Sequence, residues 1–155
     1  ANGDMWSIFN ASGIFLFGFT YLYVGIANLA NLNPVGIGWY SLWVAILAVG
    51  YSFVSFAYFG DEKFGIIWLM WAFLWTLFFL LLRLKREIGT FTGWVALIES
   101  WITAAIPAFL SLTGVWERVT TGFAWGITIL AVIGYIIVYF AVRVPPHRQN
   151  MGIGG

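Results

Sequence analysis

FGIIWLMWAFLWTLFFLLLRL, residues 64–84, decides the fold, because it carries no charge before Arg83. At ~1.5 Å of rise per residue, about 20 apolar residues cross the hydrocarbon core of a bilayer as a helix. Phe64, Trp68, Trp71 and Trp75 recur at helical spacing and fall on one face. Tryptophan ordinarily sits at the membrane–water boundary, where its N–H finds a partner. Here Trp71 and Trp75 are placed well inside the hydrocarbon layer. A row of wide, flat rings there either packs neighbouring helices or walls a narrow path.

The rest of the chain has the same character. It is 62% hydrophobic and 8% charged, where a soluble domain carries about 25% charged residues. Only helices and closed barrels satisfy their backbone groups in lipid. The apolar runs are continuous rather than alternating, which selects helices. The predicted fold class is therefore all-α, a polytopic transmembrane helix bundle of five spans, multi-pass in the plasma membrane with the bilayer as its first partner. The absence of cysteine excludes disulfides, and one histidine with no cysteine argues against a metal site. A net charge of +1 leaves no footprint for nucleic acid. No Walker A pattern, Ser-His-Asp set or run of buried charges is present, so neither an enzyme nor a cofactor is expected. The opening ANGDMW has neither an initiator methionine nor a basic leader. It is expected to follow processing or to lie inside a longer chain.

The spans are expected at residues 12–31, 39–59, 64–84, 91–113 and 121–142, making 1–142 one transmembrane domain. Residues 143–155 form a mobile tail, with His147 as a solvated residue within it. Asn10 or Ser12 is the candidate cap of the first helix, and Thr90 or Thr92 that of the fourth. Gly18 and Gly25 thin the first helix so that another can approach. Phe17, Tyr21, Val24 and Asn28 share one of its faces. Asn31, Asn33, Pro34, Gly36 and Gly38 are read as an uncharged turn. Ser41, Ser52 and Ser55 are read as bonded to their own backbone or to a neighbouring helix. In the fifth helix Gly122 and Gly126, with Gly134 on the same broad side, mark a face for close helix packing.

Charge orients the bundle. Arg83, Lys85 and Arg86 follow the third span, and Arg143 and Arg148 follow the fifth. Lys63 and Arg118 lie at the other end. The positive-inside rule then puts the N-terminus outside and the tail in the cytoplasm.

One acid breaks the pattern. Glu99 stands about two turns into the fourth span, while the other acidic residues lie at helix ends or in turns. An ionised carboxylate in hydrocarbon costs ~2.5–3.5 kcal/mol or more, so Glu99 is expected to face the interior, towards helices one and three. It is read there as neutral or multiply hydrogen-bonded, with Ser100, Thr103 and Asn28 as nearby polar groups. Two readings follow: a polar contact in a permeation path, or a fastener between helices. Pro107 frees the carbonyl near Thr103 and is expected to bend this helix on the Glu99–Thr103 face. Uncharged aromatic walls with one carboxylate suit a small neutral polar solute.

Four blocks carry a resemblance. LFGFTYLY at Leu16–Tyr23, WYSLWVAI at Trp39–Ile46, GIIWLMWAFLW at Gly65–Trp75 and FTGWVALIESWITAAIPAFL at Phe91–Leu110 resemble, in order and spacing, the AmiS/UreI family of urea channels and short-chain amide transporters. The resemblance covers residues 11–113. It implies a six-helix protomer with its own pore, assembled into a ring. By that resemblance the pore-lining, solute-binding positions are Phe17 and Tyr21 in helix one, Phe64, Trp68, Trp71, Leu74 and Trp75 in helix three, and Glu99 in helix four. Relative to the family, two helices before LFGFTYLY are absent from this stretch and are expected to be lost, replaced, or carried upstream or on another chain, and the fifth span is expected to be an addition. The His-rich external loops of the acid-gated member have no counterpart. Two functions are weighed: a passive channel for urea or a small aliphatic amide, as a homo-oligomer, and an accessory subunit of a larger membrane complex.

Overall fold

The computed structural model describes residues 2–143, and the side chains of Asn2, Gly3, Asn28 and Arg143 lie outside that description. So do residues 144–155, and with them the expectations for the tail, His147 and Arg148. The described residues hold five helices long and apolar enough to cross a membrane. They are α1 (Asn2–Leu29), α2 (Val35–Val54), α3 (Glu62–Leu82), a rod made of α4 (Gly89–Glu99) and α5 (Ile106–Leu112), and α6 (Thr121–Arg143). A π-helical turn at Ser55–Phe59 extends α2, and another at Ser100–Ala105 joins α4 to α5.

The first helix begins at Asn2 rather than near Ser12. Asn10 and Ser12 therefore do not cap it. Their side chains donate backwards, Asn10 Nδ2 to Trp6 O at 3.1 Å and Ser12 Oγ to Phe9 O at 2.6 Å. A short polar side chain serves a helix interior this way as readily as it caps a start. Ser12 also shares a hydrogen bond with the Tyr51 hydroxyl, which ties α1 to α2.

The α1–α2 turn is shorter than expected. Asn31 takes a left-handed φ of 49°, Pro34 is the N-cap, and Gly36 and Gly38 already belong to α2. Gly38 lies against the Arg83 backbone, where a Cβ would come within 2.7 Å of Arg83 N. The α2–α3 connection is built for a tight reversal. Gly60 is left-handed, its N–H reaches back to Ser55 O, and the Asp61 carboxylate accepts from Phe64 N at 3.1 Å. Such a cap is worth about 0.5–2 kcal/mol. The two helices then pack along their lengths, and Ser52 Oγ donates across to Gly65 O at 2.8 Å.

The fourth span starts at Gly89, with Ile88 as N-cap and no side-chain cap. Thr90 and Thr92 lie inside the helix. The Thr92 N–H donates to Ile88 O, and its buried hydroxyl has no partner among the described residues. The span widens into its π turn just before Pro107, and Ile106 N–H bonds to Trp101 O. Proline forbids the ordinary i→i−4 bond, and this wider turn, one of the recognised sources of helix distortion, absorbs the mismatch.

Glycine positions depart most from expectation. A Cβ added at Gly18 or Gly25 would meet no other atom within 4 Å among the described residues beyond its own helix. The close approach of α1 comes at Gly13, where a Cβ would stand 2.6 Å from the Trp68 ring. A larger residue there would force the ring aside, an overpacking cost of about 1–3 kcal/mol. Gly122 and Gly126 on α6 also face open space among the described residues, and a Cβ at Gly134 would make only an ordinary contact with Ile98. The side of α6 that packs within the chain carries Ala131 and Tyr135 instead, joined to Met70 and Leu77 of α3 and Phe91 and Val95 of α4 in one apolar cluster.

Candidate functional site

A cavity of about 670 Å³ lies between α1, α2, α3 and the α4–α5 rod. That far exceeds the ~10–15 Å³ needed to admit one water. Phe17, Thr20, Tyr21 and Val24 come from α1, and Ile37 and Ser41 from α2. Trp71, Leu74, Trp75 and Phe78 line it from α3, and Ala96, Glu99, Ser100 and Thr103 from the fourth span. Pro34 and Leu82 border its lower part, and they also border the surface hollow that holds Lys85 and Arg86. The cavity thus runs towards the end of the bundle that carries the positive cluster.

At the other end, rings close it. Phe17 meets Trp71 edge-on at 4.4 Å and lies near-parallel to Trp68 at 5.8 Å. Trp68 is 3% exposed and stacks on Tyr51 at 4.4 Å. The Phe64–Trp75 row is therefore divided. Trp71, Leu74 and Trp75 reach the cavity. Trp68 lies in the packed layer above it, and Phe64 stands between the rings of Trp6 and Trp116, at 6.2 and 5.9 Å. The divider is α1, which settles on α3 at Gly13 and lays Phe17 across the row. Helical spacing puts four rings on one stripe, but the neighbour's crossing point decides which of them meet space. Of the eight residues selected from sequence, six line the cavity: Phe17, Tyr21, Trp71, Leu74, Trp75 and Glu99.

Hydrogen bonds set the ring positions. Trp71 Nε1 donates to Thr103 Oγ1 at 2.7 Å, and Thr103 Oγ1 donates to Glu99 O at 2.6 Å. The indole is thus held by the same helix that supplies the acid. Thr20 and Ser41 hydroxyls donate to Leu16 O and Ile37 O, each at 2.8 Å, and keep lone pairs to spare.

Glu99 is 1% exposed. Its side chain does not bond to Ser100 or Thr103 among the described residues, and Ser100 Oγ donates instead to Leu97 O. Asn28, the third neighbour considered, has its side chain outside the described residues. The partner of Glu99 comes from the opposite side. Tyr135 OH on α6 donates to Oε1 at 3.1 Å, and Oε2 is buried with no partner among the described residues. Sequence reasoning missed Tyr135. The available signal was a tyrosine near the middle of the last span, one of two in it with Tyr139.

A second cavity, of about 140 Å³, lies between α3, α5 and α6. It is almost wholly apolar. Lys63 at its edge is occupied, donating to Trp116 O at 3.0 Å and lying 4.9 Å from that ring. The Thr128 hydroxyl on its wall is likewise engaged, donating to Ala124 O at 2.9 Å.

The family model for AmiS/UreI family transporters matches residues 1–115. The chain belongs to the AmiS/UreI family. Membership makes it a transport protein rather than an enzyme, and its five apolar helices make it a membrane protein. A protein of Rhodococcus erythropolis named as a candidate transporter, AmiS2, is 50% identical over 152 residues, covering 96% of this chain and 74% of its own. A candidate transporter of amidate substrates from Mycolicibacterium smegmatis is 48% identical, covering 91% of this chain and 65% of its own. The acid-activated urea channel of Helicobacter pylori strain J99 is 40% identical, covering 68% and 60%. No solved structure matches the chain. The Rhodococcus match takes in the last span, so α6 is shared with that AmiS-type relative and is not peculiar to this chain. These matches speak for transport and lend no support to an accessory-subunit role.

Proposed function

We propose that this chain forms a passive path for urea or a short aliphatic amide, entered from the end that carries Arg83, Lys85 and Arg86. The observation that carries the reading is the cavity itself: five aromatic residues, Phe17, Tyr21, Trp71, Trp75 and Phe78, wall a space in which Glu99 is the one carboxyl among the described residues. A flat neutral solute slides between rings at little desolvation cost and exchanges water bonds for those of Glu99, Thr20, Ser41 and Thr103. It then passes the Phe17–Trp71 contact. Phe64 and Trp68, which the resemblance gives as pore positions, support that constriction from behind. The family's named members, an amide transporter and a urea channel, support the solute class.

Proteoliposomes holding the full chain should fill with radiolabelled urea or acetamide to equilibrium and no further. Imposed proton or sodium gradients should make no difference. Accumulation above equilibrium, or uptake no faster than in empty vesicles, rejects the reading.

Orientation belongs to the same proposal. The positive-inside rule puts the Arg83–Arg86 end in the cytoplasm and the N-terminus outside, in the plasma membrane. Gln149→Cys should then resist an impermeant thiol reagent in intact cells, and ready labelling would reverse the assignment. A homo-oligomer is the proposed assembly, with the open faces of Gly122 and Gly126 available for helix approach between copies.

A further inference from the structure

We propose that Tyr135 is a positioning residue for the transport path, fixing which oxygen of Glu99 meets the solute. The proposal rests on the conduction reading above, but it concerns a residue on α6, beyond the 1–115 stretch matched by the family model.

The geometry is specific. Tyr135 OH lies 3.1 Å from Glu99 Oε1. Its ring stacks on Phe73 at 5.7 Å and is buried in the α3–α4–α6 cluster, so the hydroxyl has a fixed origin. The Glu99 backbone is held as well, since its carbonyl accepts from Thr103, whose Oγ1 carries Trp71. Glu99 is thus gripped from two sides. Trp71 and Thr103 hold the cavity side, and Tyr135 holds the far side.

The chemical consequence follows from donor and acceptor counting. Tyr135 donates to Oε1, so Oε1 is occupied and an acid proton, when present, resides on Oε2. Oε2 is buried with no partner among the described residues, and it is the oxygen we assign to the exchange with a solute in either protonation state. A carboxylic acid donates from Oε2 to the solute carbonyl, and a carboxylate accepts there from a solute N–H. Urea and primary amides offer both groups, whereas an apolar or ether solute offers no donor. Without the tyrosine hydroxyl the carboxyl turns about its own axis. The two oxygens become equivalent, and a solute must order the group on arrival.

The test compares the full chain with its Tyr135→Phe variant in proteoliposomes, and uses Glu99→Gln as the control that removes the carboxyl. Tyr135→Phe keeps the ring and its Phe73 contact, so membrane insertion should stay close to the parent, while the melting temperature should fall modestly because Glu99 Oε1 loses its partner; flux is therefore compared per inserted, folded protein. Urea and acetamide flux should fall by about two- to tenfold, the range expected for losing one net hydrogen bond. A second readout does not require conduction. In infrared difference spectra, adding acetamide should perturb a carboxyl band that Glu99→Gln removes, and Tyr135→Phe should alter that perturbation. Unchanged flux in Tyr135→Phe, or an acetamide-induced carboxyl perturbation that Tyr135→Phe leaves unaltered, overturns the proposal while leaving conduction intact. A parent chain that fails to conduct defeats the conduction reading. The Glu99–Tyr135 pairing then stands only on a carboxyl perturbation that depends on Tyr135, and without that dependence it falls too.

Discussion

Glu99→Leu should cut urea and acetamide flux by about 5- to 150-fold while the protein still reaches the membrane. The expectation comes from counting what a desolvated solute loses. Leaving a buried polar group unsatisfied costs about 1–3 kcal/mol, and ~1.4 kcal/mol is a factor of ten in rate. The same substitution strands the Tyr135 hydroxyl, so some stability should go with the flux. Glu99→Gln separates the two effects. It keeps size, donor and acceptor, and should retain the fold and a measurable part of the flux. Stopped-flow vesicle swelling and thermal unfolding on both variants check this. Should Glu99→Leu lower only stability and leave the flux of the surviving protein intact, Glu99 is a fastener between α4 and α6 and no part of the path.

The second large effect is expected at the constriction. Phe17 touches Trp71 edge-on at 4.4 Å, Trp68 at 5.8 Å and Trp75 at 6.3 Å. A solute leaving the cavity past these rings must part at least one such contact, and an aromatic pair is worth about 0.5–1.5 kcal/mol beyond its buried area. Phe17→Ala removes that barrier, so urea flux should rise by about two- to tenfold. Longer amides should gain more than urea, because a wider slot relaxes the size limit. Relative swelling rates in urea, acetamide and butyramide would show it. A selectivity profile identical to the parent's would place the narrow point elsewhere.

The five spans were legible because length without charge is a property of composition. The lipid imposes it whatever the neighbours do. Helix ends were less so. Asn10 and Ser12 looked like caps, yet their side chains reach back to Trp6 O and Phe9 O, and the same short polar group serves either role. Close-approach glycines were misplaced for a related reason. Gly18 and Gly13 both lie on α1, but only the crossing point with α3 makes Gly13 the one that faces a ring.

The candidate site was legible where one helix face dictates it. Phe17, Tyr21 and Val24 do share a face, and that face meets the cavity. The division of the Phe64–Trp75 row was not legible, because it depends on where a second helix lies. Tyr135 was hidden for the same cause. It stands 36 residues from Glu99 in sequence, and no local pattern links a hydroxyl to a carboxyl across two helices.

The central claim is that the cavity between α1, α2, α3 and the fourth span conducts small neutral amides. Stopped-flow swelling of proteoliposomes in an inward urea gradient, with parent chain, Glu99→Leu and empty vesicles compared at equal lipid, tests it most directly. The account predicts that the parent swells fastest, with Glu99→Leu close to the empty vesicles. Parent and empty vesicles swelling at the same rate, with the parent folded and inserted, would contradict it.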